Sequence, residues 1–163
     1  KILDDSQVNI HIIAKIENEE GLENVHEILN VANGIMIARG DLGVQLPTEE
    51  IPLVQKRIIR LCHAANKPVI TATQMLDSMI KAPTPTRAEA SDVANAVYEG
   101  ADVVMLSAET AIGVDPPGVV NMMDRIIKRT ENDANYQRLL DATKTKPAPT
   151  MADTIMEATR DWL

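Results

Sequence analysis

Gly34-Ile35-Met36-Ile37-Ala38-Arg39-Gly40-Asp41-Leu42-Gly43 runs from a continuous apolar stretch straight into charged residues flanked by glycines. A run that is apolar at successive positions buries both of its faces, as a strand does inside a parallel sheet covered on each side. In folds of that kind ligands gather at the carboxyl ends of the strands. The stretch therefore predicts a strand over 34–38 and a tight turn beyond it, whose polar residues are candidates for function.

The same grammar repeats on either side. Upstream, Ile10-His11-Ile12-Ile13-Ala14-Lys15-Ile16 precedes a segment with apolar residues at Leu22, Val25, Ile28, Leu29 and Ala32, the spacing of one helix face. Downstream, a helix is expected from about Ile51 to Ala65, with Pro52 in its first turn and Val54, Ile58, Leu61 and Ala65 facing inward. The third run is Pro68 to Thr73, and its helix opens near Thr86, which has capping-box spacing to Glu89 and a stop at Gly100. The fourth run, Asp102 to Leu106, leads to a helix from about Pro117 to Thr130 and a further helical stretch around Asn135 to Ala142. Strand and helix in alternation predict an α/β fold of parallel βα units. The segment Thr143 to Pro149 reads as a linker, and Thr150 as the cap of a final helix towards Trp162. Four strands do not close a (β/α)8 barrel. The chain thus reads as a piece of a longer polypeptide, as a half-barrel that pairs with another copy, or as a small sheet of flavodoxin type.

Composition narrows the function classes. The 163 residues include no Phe and only 2% aromatics, so the core is built from Ile, Val, Leu, Met and Ala. A net charge of −8 excludes a nucleic-acid binder, which needs clustered Lys and Arg. Cys62 is single, so no disulfide forms within the chain, and a reducing compartment fits. His11, His26 and His63 are too scattered for a zinc site. No secretory signal or membrane-spanning run is visible, and a cytoplasmic location is expected.

All four strand ends are polar. Lys15 and Glu17 are two apart and project to one side of an extended strand, although taken alone they also read as a surface ion pair. Asp41 sits between Gly40 and Gly43, where backbone amides can approach an anion and the carboxylate can serve a hard cation. Glu17 and Asp41 together suit octahedral Mg2+ better than Zn2+. Thr73 ends the third strand, and Ser107-Ala108-Glu109-Thr110 ends the fourth, the latter reading in isolation as a solvated loop.

The blocks IIAKIEN, IARGDLGV, TATQMLDSM, PTPTRAEASDVANAV and GADVVMLSAETA, in that order across residues 12–111, resemble the pyruvate kinase family of bacterial type. The resemblance implies the second half of a TIM (β/α)8 barrel over 1–142, a linker at 143–149 and the start of a C-terminal domain at 150–163. It implies that Lys15 stabilises the phosphoryl group in transfer and the developing enolate, and that Glu17 and Asp41 hold Mg2+ or Mn2+. It also implies that Ala38, Arg39 and Gly40, through their backbone, and Thr73 bind the carboxylate of phosphoenolpyruvate or pyruvate. Thr73 and Ser107 would lie on the route that protonates the enolate carbon. Further implied partners are ADP/ATP, the rest of the barrel, a lid domain and the other subunits of a homotetramer. The K+ ligands of the family lie outside this segment. Ala108 and Gln45 stand where many members have Gly and Glu. On this reading the 163-residue chain alone is inactive. The competing expectations are a Mg2+-dependent enolate aldolase or lyase, and a half-barrel that serves only in folding or subunit contacts.

Overall fold

A computed structural model describes residues 10–143, which fall in two units divided after Glu131. In the first unit β1 (Ile13–Ile16) is followed by α1 (Glu19–Glu23) and α2 (Val25–Val31), and β2 (Gly34–Ala38) by α3 (Arg39–Gln45) and α4 (Ile51–Ala64). Then come β3 (Val69–Ala72) with α5 (Arg87–Tyr98), and β4 (Val103–Val104) with α6 (Ala108–Ala111) and α7 (Pro116–Glu131). Short 3-10 turns occupy Thr48–Glu50 and Asp77–Ile80. In the second unit the described part is α8 (Ala134–Thr143). Apart from Thr143, which closes α8, the expected linker and the helix expected from Thr150 lie outside the described residues.

The four strands are parallel and pair in sequential order, β1-β2-β3-β4. That order is the one a barrel uses. It contradicts the flavodoxin-type alternative, in which the second strand lies outside the first. Register sorts the side chains into two faces. Ile16, Ile35, Ile37 and Val69 point to the helix side and form one core with Leu29, Val54 and Ile58. On the opposite face Lys15, Met36, Ile70 and Val103 stand in one cross-strand row. As the apolar run foretold, β2 is buried on both faces, with only Met36 half-exposed. A second core, of Met75, Leu76, Met79, Val93, Val119 and Met123, packs α5 and α7 beneath β4.

Several local signals stand as read. Pro52 lies in the first turn of α4. Thr86 caps α5 with a complete capping box to Glu89, and Gly100 follows the helix in the left-handed region at φ 92°. Others differ. The helix expected across Leu22 to Ala32 is broken at Asn24, whose backbone N–H and side-chain amide both donate to the Glu20 carbonyl. A side chain that takes a ladder acceptor competes with helix continuation. On α4 the inward stripe runs through Val54, Ile58, Ile59 and Cys62, leaving Leu61 half-buried and Ala65 exposed. Burial pushes the Cys62 thiol up to about 11, so this lone cysteine is a packing residue. Among the described residues no helix is long and apolar enough to cross a membrane.

Candidate active site

Arg39, Gly40 and Asp41 were expected in a turn, and instead form the first turn of α3. Leu42 is fully buried from the same helix, and that anchorage explains why the segment winds rather than loops. Each of the three residues makes a different connection. Asp41 reaches back to β1, where its carboxylate accepts from the Lys15 ammonium at 2.8 Å, and Glu17 pairs with the same ammonium. The Gly40 N–H donates to the Thr73 hydroxyl at 3.2 Å, joining α3 to the end of β3. The Arg39 side chain turns inward to the Thr73 carbonyl and to Asp92.

Lys15, Glu17 and Asp41 therefore meet at one point above the carboxyl ends of β1 and β2. The Lys15 ammonium is pushed up to about 12, first by its hydrogen bond to Asp41 and then by that to Glu17. Asp41 is held below the usual carboxylate range, chiefly by the hydrogen bond from Lys15. The carboxylates of Glu17 and Asp41 are 46% and 54% exposed, so water and ligand oxygens can reach both. Their all-oxygen donor set fits a hard divalent cation that keeps several waters. Among the described residues no cluster of three or more His, Cys, Asp or Glu forms a closed metal cage. Two carboxylates plus substrate oxygens is the arrangement Mg2+ ordinarily takes beside phosphates.

Thr73 is half-buried, whereas Ser107 is exposed just before α6. No hydrogen bond among the described residues joins Ser107 to Thr73 or to Lys15. The two segments are linked indirectly. Glu109, expected in a solvated loop, is only 1% exposed, and its two carboxyl oxygens accept from the backbone N–H of Leu76 at 3.2 Å and of Ser107 at 2.8 Å. Burial of a carboxylate is tolerated where amides satisfy it. Gln45 accepts from the Glu19 N–H at 3.1 Å, a contact that a Glu carboxylate makes equally well.

Sequence reasoning missed Asp92 and Gln55, and it placed Glu109 in solvent where the structure buries it. Gln55 carried a usable signal, since a polar residue flanking Val54 on an otherwise apolar helix face marks a buried hydrogen-bond partner.

The glycines of α3 are not equivalent. A Cβ on Gly40 would stand 2.7 Å from the Thr73 hydroxyl oxygen, while one on Gly43 meets nothing within 4 Å. Gly43→Ala is expected to raise stability by about 0.5–1 kcal/mol, as removal of a mid-helix glycine does. Gly40→Ala is expected to displace Thr73 and lower stability. Denaturant midpoints of both variants check this pair; equal behaviour of the two contradicts it.

Residues 1–120 match the family model described as "Pyruvate kinase, barrel domain". The chain belongs to the pyruvate kinase family. A pyruvate kinase of Sporosarcina psychrophila is 55% identical over 150 residues, covering 92% of this chain and 26% of that protein. One of Geobacillus stearothermophilus is 55% identical over 148 residues (91% and 25%), and one of Clostridium acetobutylicum 51% over 147 (90% and 31%). The chain thus spans about a quarter to a third of the length of these pyruvate kinase relatives. The four-stranded parallel sheet and its helices are part of the pyruvate kinase barrel domain, and this membership sets aside the aldolase expectation.

Proposed function

We propose that this segment supplies one wall of a pyruvate kinase active site, at which a phosphoryl group passes from phosphoenolpyruvate to ADP. A single observation carries the reading: one ammonium, Lys15, is shared by two half-exposed carboxylates, Glu17 and Asp41, at the carboxyl ends of parallel strands.

Phosphoryl transfer asks mainly for positioning and charge neutralisation. A terminal phosphate oxygen of ADP attacks phosphorus, the bond from phosphorus to the enol oxygen breaks, and the enolate carbon takes a proton to give pyruvate. Lys15 faces the transferring group as a permanent cation. A lysine ammonium is a poor proton donor at neutral pH even at its ordinary value, so its part is electrostatic. Glu17 and Asp41 would hold Mg2+ or Mn2+, which supplies Lewis acidity and a template for the phosphate oxygens. The backbone of Ala38, Arg39 and Gly40, with the Thr73 hydroxyl, receives the substrate carboxylate. Thr73 and Ser107 belong to the route by which the proton arrives, with Glu109 fixing the Ser107 backbone.

The family resemblance carries the wider proposals: residues 1–142 as part of the barrel, 143–149 as linker, 150–163 as the start of a C-terminal domain, a lid domain, K+ activation, a cytoplasmic homotetramer and a place in glycolysis. The row of Met36, Ile70 and Val103 beside Lys15 would line the barrel interior against the remaining strands.

A coupled assay with phosphoenolpyruvate and ADP tests the proposal. The full-length polypeptide is expected to be active and the isolated 163-residue chain inactive. Turnover by the isolated chain, free of host enzyme, contradicts the division of labour. Lack of turnover by the full-length protein contradicts the function.

A further inference from the structure

The Arg39 guanidinium does not enter the site beside Gly40 and Asp41. Its side chain is 10% exposed and forms a fork with Asp92 of α5, Nη1 to Oδ1 at 2.8 Å and Nη2 to Oδ2 at 2.7 Å. Nη1 also donates to the Gln55 side-chain oxygen at 3.2 Å, and Gln55 in turn donates to Glu99 at 2.7 Å. Nη2 donates to the Thr73 carbonyl oxygen at 2.9 Å and contacts the Met75 sulfur at 2.8 Å.

We infer that the Arg39–Asp92 pair is a positioning element for the anion end of the site, with Asp92 fixing the guanidinium and the guanidinium fixing Thr73. The inference rests on the reading of Thr73 and the Gly40 amide as the place where the substrate carboxylate binds.

Two consecutive residues of α3 grip Thr73 at two points. Arg39 takes its carbonyl oxygen and Gly40 its hydroxyl. A guanidinium is planar and its donors are fixed relative to one another, so seating two of them on Asp92 determines where the donor to Thr73 points. The anchor therefore comes from α5, an element with no residue of its own in the site, and the position of the β3 end is set against the start of α3. A purely stabilising role is the weaker account, because the Asp92 side chain is 37% exposed and an ion pair so open to water adds little to folding. The Arg39 Nε, buried without a partner, shows that the arrangement does not maximise hydrogen bonding. Lysine cannot substitute, since one ammonium cannot reproduce the fork on Asp92 and the donor to Thr73 together.

The test uses the full-length protein and the variants Arg39→Lys, Thr73→Ala and their combination, with phosphoenolpyruvate and ADP titrated separately and thermal unfolding followed in parallel. Arg39→Lys is expected to raise half-saturating phosphoenolpyruvate ~10-fold, the scale typical of residues that orient ligand-binding groups, with the ADP dependence unchanged. Thr73→Ala should raise it comparably, and the double variant should match Thr73→Ala alone, because Arg39 acts through Thr73. Should Arg39→Lys fold poorly, Asp92→Asn keeps the shape and one acceptor oxygen and enters the same cycle. Effects that multiply, or a lowered melting temperature with unchanged phosphoenolpyruvate dependence, overturn the inference while leaving the site reading intact. If Thr73→Ala itself leaves that dependence unchanged, the carboxylate-site reading fails and the inference falls with it.

Discussion

Lys15→Met in the full-length protein is expected to lower kcat by ~10²-fold or more, the scale of losing a preorganised electrostatic partner. Methionine keeps an unbranched chain of similar length, so β1 and its register with β2 should survive. What disappears is the cation that, on the proposed function, faces both the phosphoryl oxygens and the enolate. Lys15 is exposed enough that its contacts with Glu17 and Asp41 add little to folding, so the loss should appear in turnover and not in melting temperature. A lysine ammonium stays charged throughout the neutral range even at its ordinary value, and its contacts with Asp41 and Glu17 push it further up. The wild-type rate should therefore show no loss from its deprotonation in that range. Stopped-flow or coupled assays at saturating substrate measure the effect; a variant retaining wild-type kcat removes Lys15 from the chemistry.

Glu109→Ala is expected to cost about 2–4 kcal/mol of stability, from one or two amides left without an acceptor together with the void left by the side chain. Leu76 is fully buried, so its N–H cannot turn to water when the carboxyl oxygen is removed. The Ser107 N–H loses its acceptor as well, which frees the backbone that carries the Ser107 hydroxyl. Glu109→Gln keeps one carbonyl acceptor in the same volume and should recover part of the loss. Denaturant unfolding distinguishes the two variants. Wild-type stability for Glu109→Ala would show that Glu109 is solvated, as its polar neighbours in the sequence suggest.

That error in reading Glu109 shows where sequence reasoning stopped. Strands, caps and the polar strand ends were legible because they rest on near-neighbour rules: continuous apolar runs, Thr86 three residues before Glu89, Gly100 after the last turn of α5. The meeting of Lys15 with Asp41 was inferable from the rule that parallel strands deliver their carboxyl ends to one side. Partners fixed by tertiary packing were not legible. Asp92 is 53 residues from Arg39, and nothing local says that this aspartate receives a guanidinium. The glycines around Asp41 suggested a turn because glycine permits one, yet one of them is present for close approach to Thr73 within a helix. Likewise the break at Asn24 depends on a side-chain amide capturing a carbonyl, which hydrophobic periodicity does not register.

On the proposed function, Glu17 and Asp41 jointly offer their carboxylates to a divalent cation beside Lys15. Electron paramagnetic resonance titration of nucleotide-free, full-length protein with Mn2+ addresses it directly. Wild type and Lys15→Met should both bind the ion, and Glu17→Gln combined with Asp41→Asn should abolish that binding while the fold persists. Undiminished Mn2+ affinity in the doubly neutralised variant would contradict the account.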